Sequence, residues 1–210
     1  MLKKYYFILL ILCTNSFAGS DALDVFFSQT SSLKANFNQS IMDHNGKIIE
    51  TSSGQLIINR PHQFVLNYTK PDQQRYISDG KTLWIYDVEL EQVTIKAVDE
   101  NFFSSPVLLL SSDKNIKDVY HINETIDYDA PEKDVFNLTA KVVTDESNNM
   151  FKNIQLIFLK HQLVEIIMQD NFEQTTRLTL YNQQVNTAID SDTFSFIIPF
   201  GVDVIGTQVQ

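Results

Sequence analysis

The sequence predicts a single antiparallel, mainly β domain with a few short helices. Apolar residues recur at every second position in about eleven short segments, the spacing of half-buried strands. Almost every connection between these segments is too short for a parallel crossover. Tight-turn chemistry separates several of them, most plainly at Asn45-Gly46 and Asp79-Gly80.

The chain opens with an address rather than a strand. Lys3 and Lys4 precede an apolar run from Tyr5 to Leu12, and small residues stand at Ser16 and Ala18 just before Gly19. This is the pattern of an export signal cut after Ala18, which leaves residues 19–210 as one domain. The apolar run is too short to cross a bilayer, which takes about 20 apolar residues. Cys13 is the one cysteine and opens an alternative, a lipoprotein anchored through it. Leu10, Ile11 and Leu12 precede it, where lipoprotein processing requires a small residue.

After the signal, Ser20 stands where a helix cap would, ahead of a short helix from Asp21 to about Gln29, with Ala22, Leu23, Phe26 and Phe27 at helical spacing. The period then changes to two. Leu33, Ala35 and Phe37 alternate with Lys34, Asn36 and Asn38, and the pattern continues after the turn at 43–46 through Leu56 and Ile58, then Phe64, Leu66 and Tyr68. Tyr76-Ile77 and the segment Leu83 to Tyr86 flank the Asp79-Gly80 turn, and Val93, Ile95 and Ala97 close a first group of strands. Between Asp99 and Asp118 the alternation breaks. Ser105-Pro106 reads as a cap and first helical residue before Val107 to Leu110. Alternation resumes at Phe136-Leu138-Ala140-Val142, Ile154-Leu156-Phe158, Val164-Ile166-Met168, Leu178-Leu180 and Phe194-Phe196-Ile198.

A sheet this wide curls as its twist accumulates. Two or three short helices cover only part of one face. Either the sheet closes into a barrel or sandwich, or an apolar hollow remains beneath the helices. Segments 83–86 and 154–159 are apolar on both faces and fit either outcome.

Composition excludes several function classes. The chain carries 16 basic and 26 acidic residues, a net charge of −10, and loss of Lys3 and Lys4 takes this to −12. Such a surface repels nucleic acid and anionic lipid headgroups. His44, His62, His121 and His161 are scattered without the spacing of a zinc site, so no metal is expected. No nucleophile elbow, phosphate-cradling loop or dinucleotide fingerprint occurs, and neither a catalytic residue nor a cofactor is expected. An exported β-rich glycan-acting enzyme is the enzymatic alternative, because strands can bring distant carboxylates together. Arginine is scarce, only Arg60, Arg75 and Arg177. Arg60 precedes Pro61 at a strand end, where its guanidinium can reach helix-end carbonyls.

The stretches Gly54-Gln55-Leu56, Asn59-Arg60-Pro61, Phe64, Tyr68 and Pro71 resemble the start of the periplasmic outer-membrane lipoprotein carriers of the LolA family. Ser78-Asp79-Gly80-Lys81-Thr82-Leu83-Trp84-Ile85-Tyr86-Asp87, then Glu91-Gln92-Val93, is the most specific part. Ser105 to Leu109 is similar to the family's following helix, and Phe194-Ser195-Phe196 with Pro199 to Ile205 to its closing strand. Val65-Leu66 depart from it, standing where the family often carries Arg-Trp. The resemblance implies an unclosed half-barrel of about eleven strands with a short-helix lid over an apolar cavity. It implies a monomeric carrier whose cargo is the acyl chains of lipoproteins, taken from an inner-membrane ABC exporter and handed to an outer-membrane receptor lipoprotein. The expected cargo-binding residues are Phe37, Leu56, Phe64, Leu66, Leu83, Trp84, Ile85, Val107 and Leu109, with the face of segment 83–86 left open. Arg60 matches the family's rim arginine and is expected to control the lid.

Overall fold

The computed structural model describes residues 22–98, 106–113, 115–141 and 151–206. The expected export signal, Cys13, the cap residues Ser20 and Ser105, and Val142 lie outside them. Among the described residues, no helix is long and apolar enough to cross a membrane.

A short helix, α1 (Ala22–Gln29), leads into five strands, β1 (Ser32–Met42), β2 (Ile48–Asn59), β3 (Gln63–Lys70), β4 (Gln74–Asp79) and β5 (Thr82–Asp87), followed by β6 (Gln92–Ala97). Two short helices, α2 (Pro106–Ser111) and α3 (Ile116–Val119), separate these from β7 (Tyr120–Ile126), β8 (Lys133–Ala140), β9 (Phe151–Leu159), β10 (Gln162–Asp170) and β11 (Thr175–Val185). A single 3₁₀ turn at Ser191–Phe194 precedes the last strand, β12 (Asp203–Ile205). The twelve strands among the described residues form one sheet in the order β12-β6-β5-β4-β3-β2-β1-β11-β10-β9-β8-β7. Because β12 and β7 do not pair with each other, the sheet is open, and the barrel or sandwich alternatives fall away.

The two turns singled out in the sequence form for local reasons. The Asp43 carboxylate accepts the backbone N–H groups of Asn45 and Lys47, and Gly46 takes a φ of 77°. Asp79 does the same for Lys81 and Thr82, with Gly80 at 97°.

Two sequence expectations need correction, and one strand lay outside them. Phe194-Phe196-Ile198 is not a strand. The segment after β11 is a strap across the outer face, where Phe194, Phe196 and Ile198 pack on Val65, Ile77, Trp84, Val93 and Ile95. Its alternation records burial against a surface, not ladder pairing. The sheet is also not wholly antiparallel, since β12 runs parallel to β6. The strap supplies a crossover long enough to permit this. Finally, β7 was not legible. It is an edge strand in which Tyr120 is buried, Ile122 half-buried, and residues 121 and 123–125 exposed, so too few apolar positions recur to announce it.

The inner face carries the main core. Residues of β1–β5 and of β8–β11 join one apolar cluster together with Leu23 and Phe26 of α1 and Val107 to Leu110 of α2. One cluster spanning both arms of so wide a sheet requires the sheet to curl around the helices. Across β1 and β2, Phe37 lies opposite Gly54. A Cβ at position 54 would meet Asn67 O at 2.0 Å and the Phe37 ring at 2.8 Å. The glycine thus leaves the space that the Phe37 ring and the neighbouring strand's backbone occupy. Gly54→Ala should cost about 1–3 kcal/mol by overpacking, read as a lower urea midpoint with unchanged slope, whereas Gly46→Ala, at an open turn, should cost less.

Candidate functional site

Beneath the helices the inner face does not fill. A cavity of ≈ 300 Å³ remains, walled by Leu56, Phe64, Leu66, Leu83 and Ile85 of β2–β5 on one side and by Phe151, Met168 and Leu178 of β9–β11 on the other. Pro106, Val107, Leu108 and Leu110 of α2 form its roof. Gln39, Tyr68, Tyr76 and Thr176 are the polar-tipped members of the wall. A concave, apolar chamber with few polar groups has the form of a small-ligand site, at the low end of the usual 300–1,000 Å³.

Six of the nine expected cargo-binding residues, Leu56, Phe64, Leu66, Leu83, Ile85 and Val107, meet at this wall. Three do not. Trp84 belongs to the outer face, where it packs against Phe196 with ring centroids 6.4 Å apart. With Leu83 and Ile85 turned inward, strand period two sends Trp84 and Tyr86 outward, and the strap explains why both faces of β5 are apolar. Phe37 is fully buried over Gly54, edge-on to Tyr68 at 5.2 Å, and does not reach the cavity. Leu109 is buried in the same core but off the wall. Sequence reasoning omitted Met168 and Leu178, although their alternation had been noted. Period shows which side chains are buried, not which buried ones border an empty space.

Arg60 ends β2 and sits where two helix C-termini converge. Its Nε donates to Leu110 O of α2 at 2.8 Å. Its Nη1 donates to Phe27 O and Thr30 O, both at 2.9 Å, and to Phe26 O at 3.4 Å, all at the end of α1. Helix ends leave their last carbonyls unpaired and carry partial negative charge, so one cation can satisfy both ends. The guanidinium carbon lies 5.2 Å and 5.0 Å from the ring centroids of Phe26 and Phe27. The next turn residue adds to the joint, for His62 N–H donates to Ser111 O at 2.8 Å, and its Nε2 lies 3.4 Å from Asp113 Oδ1. Burial pushes the Arg60 pKa down to about 10, which leaves it charged at neutral pH. Its Nη2 is buried without a hydrogen-bond partner. A second link, the Lys117–Asp24 ion pair at 2.6 Å, ties α3 to α1 on the exposed side.

An open sheet curled round an apolar chamber, roofed by short helices whose ends meet at Arg60, has the architecture of a carrier of apolar ligands. Among the described residues no cluster of three or more metal-ligating side chains occurs. The chain belongs to the LolA family, whose model, described as outer membrane lipoprotein carrier protein LolA, matches residues 28–197. It is similar to the outer-membrane lipoprotein carrier protein of Chromobacterium violaceum, 38% identical with 87% of this chain and 85% of that one covered. It is also similar to that of Shewanella halifaxensis, 32% identical over 90% of this chain and 86% of that one. Among solved structures, an uncharacterized conserved protein from Thermus thermophilus shares the fold at a TM-score of 0.51 and 11% identity, covering 88% of this chain and 94% of that chain.

The geometry assigns Arg60 to the joint between helices rather than to the sheet. Hydrogen bonds to a charged group contribute about 1.5–3 kcal/mol each. In Arg60→Leu, hydrogen exchange of the amides at the ends of α1 and α2 should quicken by roughly a hundredfold or more. Amides of β1, β2 and β11 should keep their protection. Equal acceleration in helices and strands would assign Arg60 to global stability instead.

Proposed function

We propose that this protein is a periplasmic carrier of lipoproteins. Its cavity shields their acyl chains between release at an inner-membrane ABC exporter and delivery to an outer-membrane receptor lipoprotein. The observation that carries this reading is the apolar chamber beneath a clamped helical lid. Family membership and the names of the relatives agree with it.

The physics of the task matches the site. Each acyl methylene costs about 0.8 kcal/mol in water, so three chains of roughly fourteen methylenes stand on the order of 30 kcal/mol from free solution. A carrier must offset most of that and still let go. In its closed form the chamber is small, so cargo entry entails moving α2 and breaking bonds at Arg60. Apparent affinity then equals intrinsic affinity reduced by the cost of opening. In this scheme Arg60 sets the release step. The cargo-facing residues are Leu56, Phe64, Leu66, Leu83, Ile85 and Val107. Residues 19–210 form the single working domain, acting as a monomer and needing no cofactor.

Two measurements test the scheme. Intact mass of the exported product should correspond to Gly19–Gln210; a mature chain beginning at an acylated Cys13 would make the protein a membrane-anchored receptor. Wild-type protein should release a labelled lipoprotein from inner-membrane vesicles and pass it to receptor-bearing outer membranes. Arg60→Leu should accept the cargo but hand it on roughly tenfold or more slowly, since each 1.4 kcal/mol of lost clamp is a factor of ten. Normal hand-over by this variant would remove Arg60 from the mechanism, and failure of the wild type to take up lipoprotein would remove the carrier reading.

A further inference from the structure

Along the inner face of β1–β5 the chemistry changes abruptly toward one end. Leu56, Leu66 and Ile85 give way to Gln39, Ser52, Tyr68, Gln74, Tyr76 and Asp87. The register sets these side by side, with Gln39 opposite Ser52, Tyr68 opposite Gln74, and Gln74 opposite Asp87. They bound a second pocket of ≈ 300 Å³, which shares Gln39, Tyr68 and Tyr76 with the apolar cavity and so lies directly beside it.

We propose that this mouth is a polar subsite for the neutral ester and amide carbonyls that join acyl chains to a protein's N-terminus, and that its acidic rim turns away phosphate-bearing lipids. The inference rests on the carrier reading and adds a selectivity to it. A phospholipid carries the same kind of chains as a lipoprotein, so an apolar cavity alone cannot tell them apart. Discrimination requires an element that penalises the wrong ligand.

Donors for carbonyls are in place. Tyr68 Oη donates to Gln39 Oε1 at 3.1 Å, Tyr76 Oη to Gln74 Oε1 at 2.8 Å, and Gln74 Nε2 to Asp87 Oδ2 at 3.5 Å. Ser52 is only 8% exposed, and its Oγ has no hydrogen-bond partner. A buried hydroxyl left unpaired beside a cavity fits an absent ligand. Burial above all, then the neighbouring Tyr76, pushes Tyr68 up to about 12, and burial followed by Asp87 raises Tyr76. Both hydroxyls keep their protons at neutral pH and spend them on the two glutamine oxygens, which orients the amides, so the donors left for an ester or amide oxygen are the N–H groups of Gln39 and Gln74 and the Ser52 hydroxyl. The rim supplies the penalty. Glu50, Asp72 and Asp87 face one cation, Lys70. A phosphodiester entering there brings a further negative charge into an acidic, partly enclosed site, where the field is focused. An ester–amide junction brings none, and a free α-amine would be welcomed.

Displacement of an environment-sensitive apolar dye from the full-length exported protein tests this. The competitors are diacylglycerol, phosphatidic acid with the same chains, a diacyl-cysteinyl lipopeptide, and hexadecane, which has no carbonyl. Diacylglycerol and the lipopeptide should compete about tenfold or more better than phosphatidic acid at low salt, and the gap should narrow as salt rises. Glu50→Gln with Asp72→Asn and Asp87→Asn should close the gap by strengthening phosphatidic acid. Asp72→Asn alone, at an exposed turn, should narrow it and guards against misfolding of the triple variant. Tyr68→Phe should weaken diacylglycerol but not hexadecane. Equal competition by diacylglycerol and phosphatidic acid in the wild type, or a gap insensitive to salt, would overturn the inference while leaving the carrier reading intact. Failure of every competitor to displace dye would instead overturn the carrier reading.

Discussion

Everything in this fold follows from the need to cover two faces of one very wide sheet with little else to cover them. Twelve strands in a single open sheet present an inner and an outer surface, and among the described residues the helices amount to α1, α2, α3 and one 3₁₀ turn. The outer surface of β2–β6 is covered by the chain itself, in the strap that runs from the end of β11 back to β12 and packs Phe194 and Phe196 on Trp84, Val65 and Ile77. This cover is filled in the ordinary way. On the inner surface, α1 packs toward β9 and β10 through Phe26 and Phe158, while α2 packs on β2 and β3. Neither helix is long enough to fill the curl, so apolar walls face one another across unoccupied space. The cavity is the remainder of a covering problem, and its contents are left to a ligand.

Part of this was legible in the sequence and part could not be. Strand period puts Leu56 and Ile58, and Phe64, Leu66 and Tyr68, each on one face, and the structure shows that face to be the inner one. It cannot orient Leu83 to Tyr86, where the strap makes both sides apolar, which is why Trp84 stands among the expected cargo residues beside Leu83 and Ile85. Phe37 failed differently. Its face was right, but Gly54 opposite removes the side chain that would have held the ring away, so the ring packs down on the strand instead of into the chamber. The alternation at 194–198 was real and was misread, since a strap lying on a sheet shows the same period as a strand within one. Arg60 was legible from rarity and from its place before Pro61, yet its partners at two separate helix ends were not. No local pattern encodes the meeting of residues 26–30 with residue 110.

The two functional surfaces are linked by the strands themselves. β1 to β5 run from the helix joint at Arg60 to the polar mouth at Gln39, Ser52 and Tyr76, with the apolar wall between. Length along a strand thus maps onto chemistry: clamp at one end, hydrocarbon wall in the middle, hydrogen-bond donors and carboxylates at the other. An amphiphile with chains and a polar junction meets each zone in its own order. Because successive inner-face residues are about 6–7 Å apart along a strand, a few positions suffice to pass from one zone to the next.

The clamp is strong in geometry and weakened in energy, and the combination suits a lid that must open. Arg60 makes four contacts to carbonyls, three of them at 2.8–2.9 Å, and stacks beside two phenylalanine rings. A fully satisfied charge in that position would hold the helices firmly. Here burial lowers its pKa to about 10, a measure of what the charged form loses on leaving water, and Nη2 finds no partner at all. Opening the lid breaks the carbonyl bonds but returns a poorly solvated cation to water, so the net cost is smaller than the bond count suggests. On the lid role proposed for Arg60, a desolvated, incompletely paired guanidinium fixes where the closed lid sits without making it hard to leave, which is the behaviour a carrier needs when it must both accept and surrender an insoluble load.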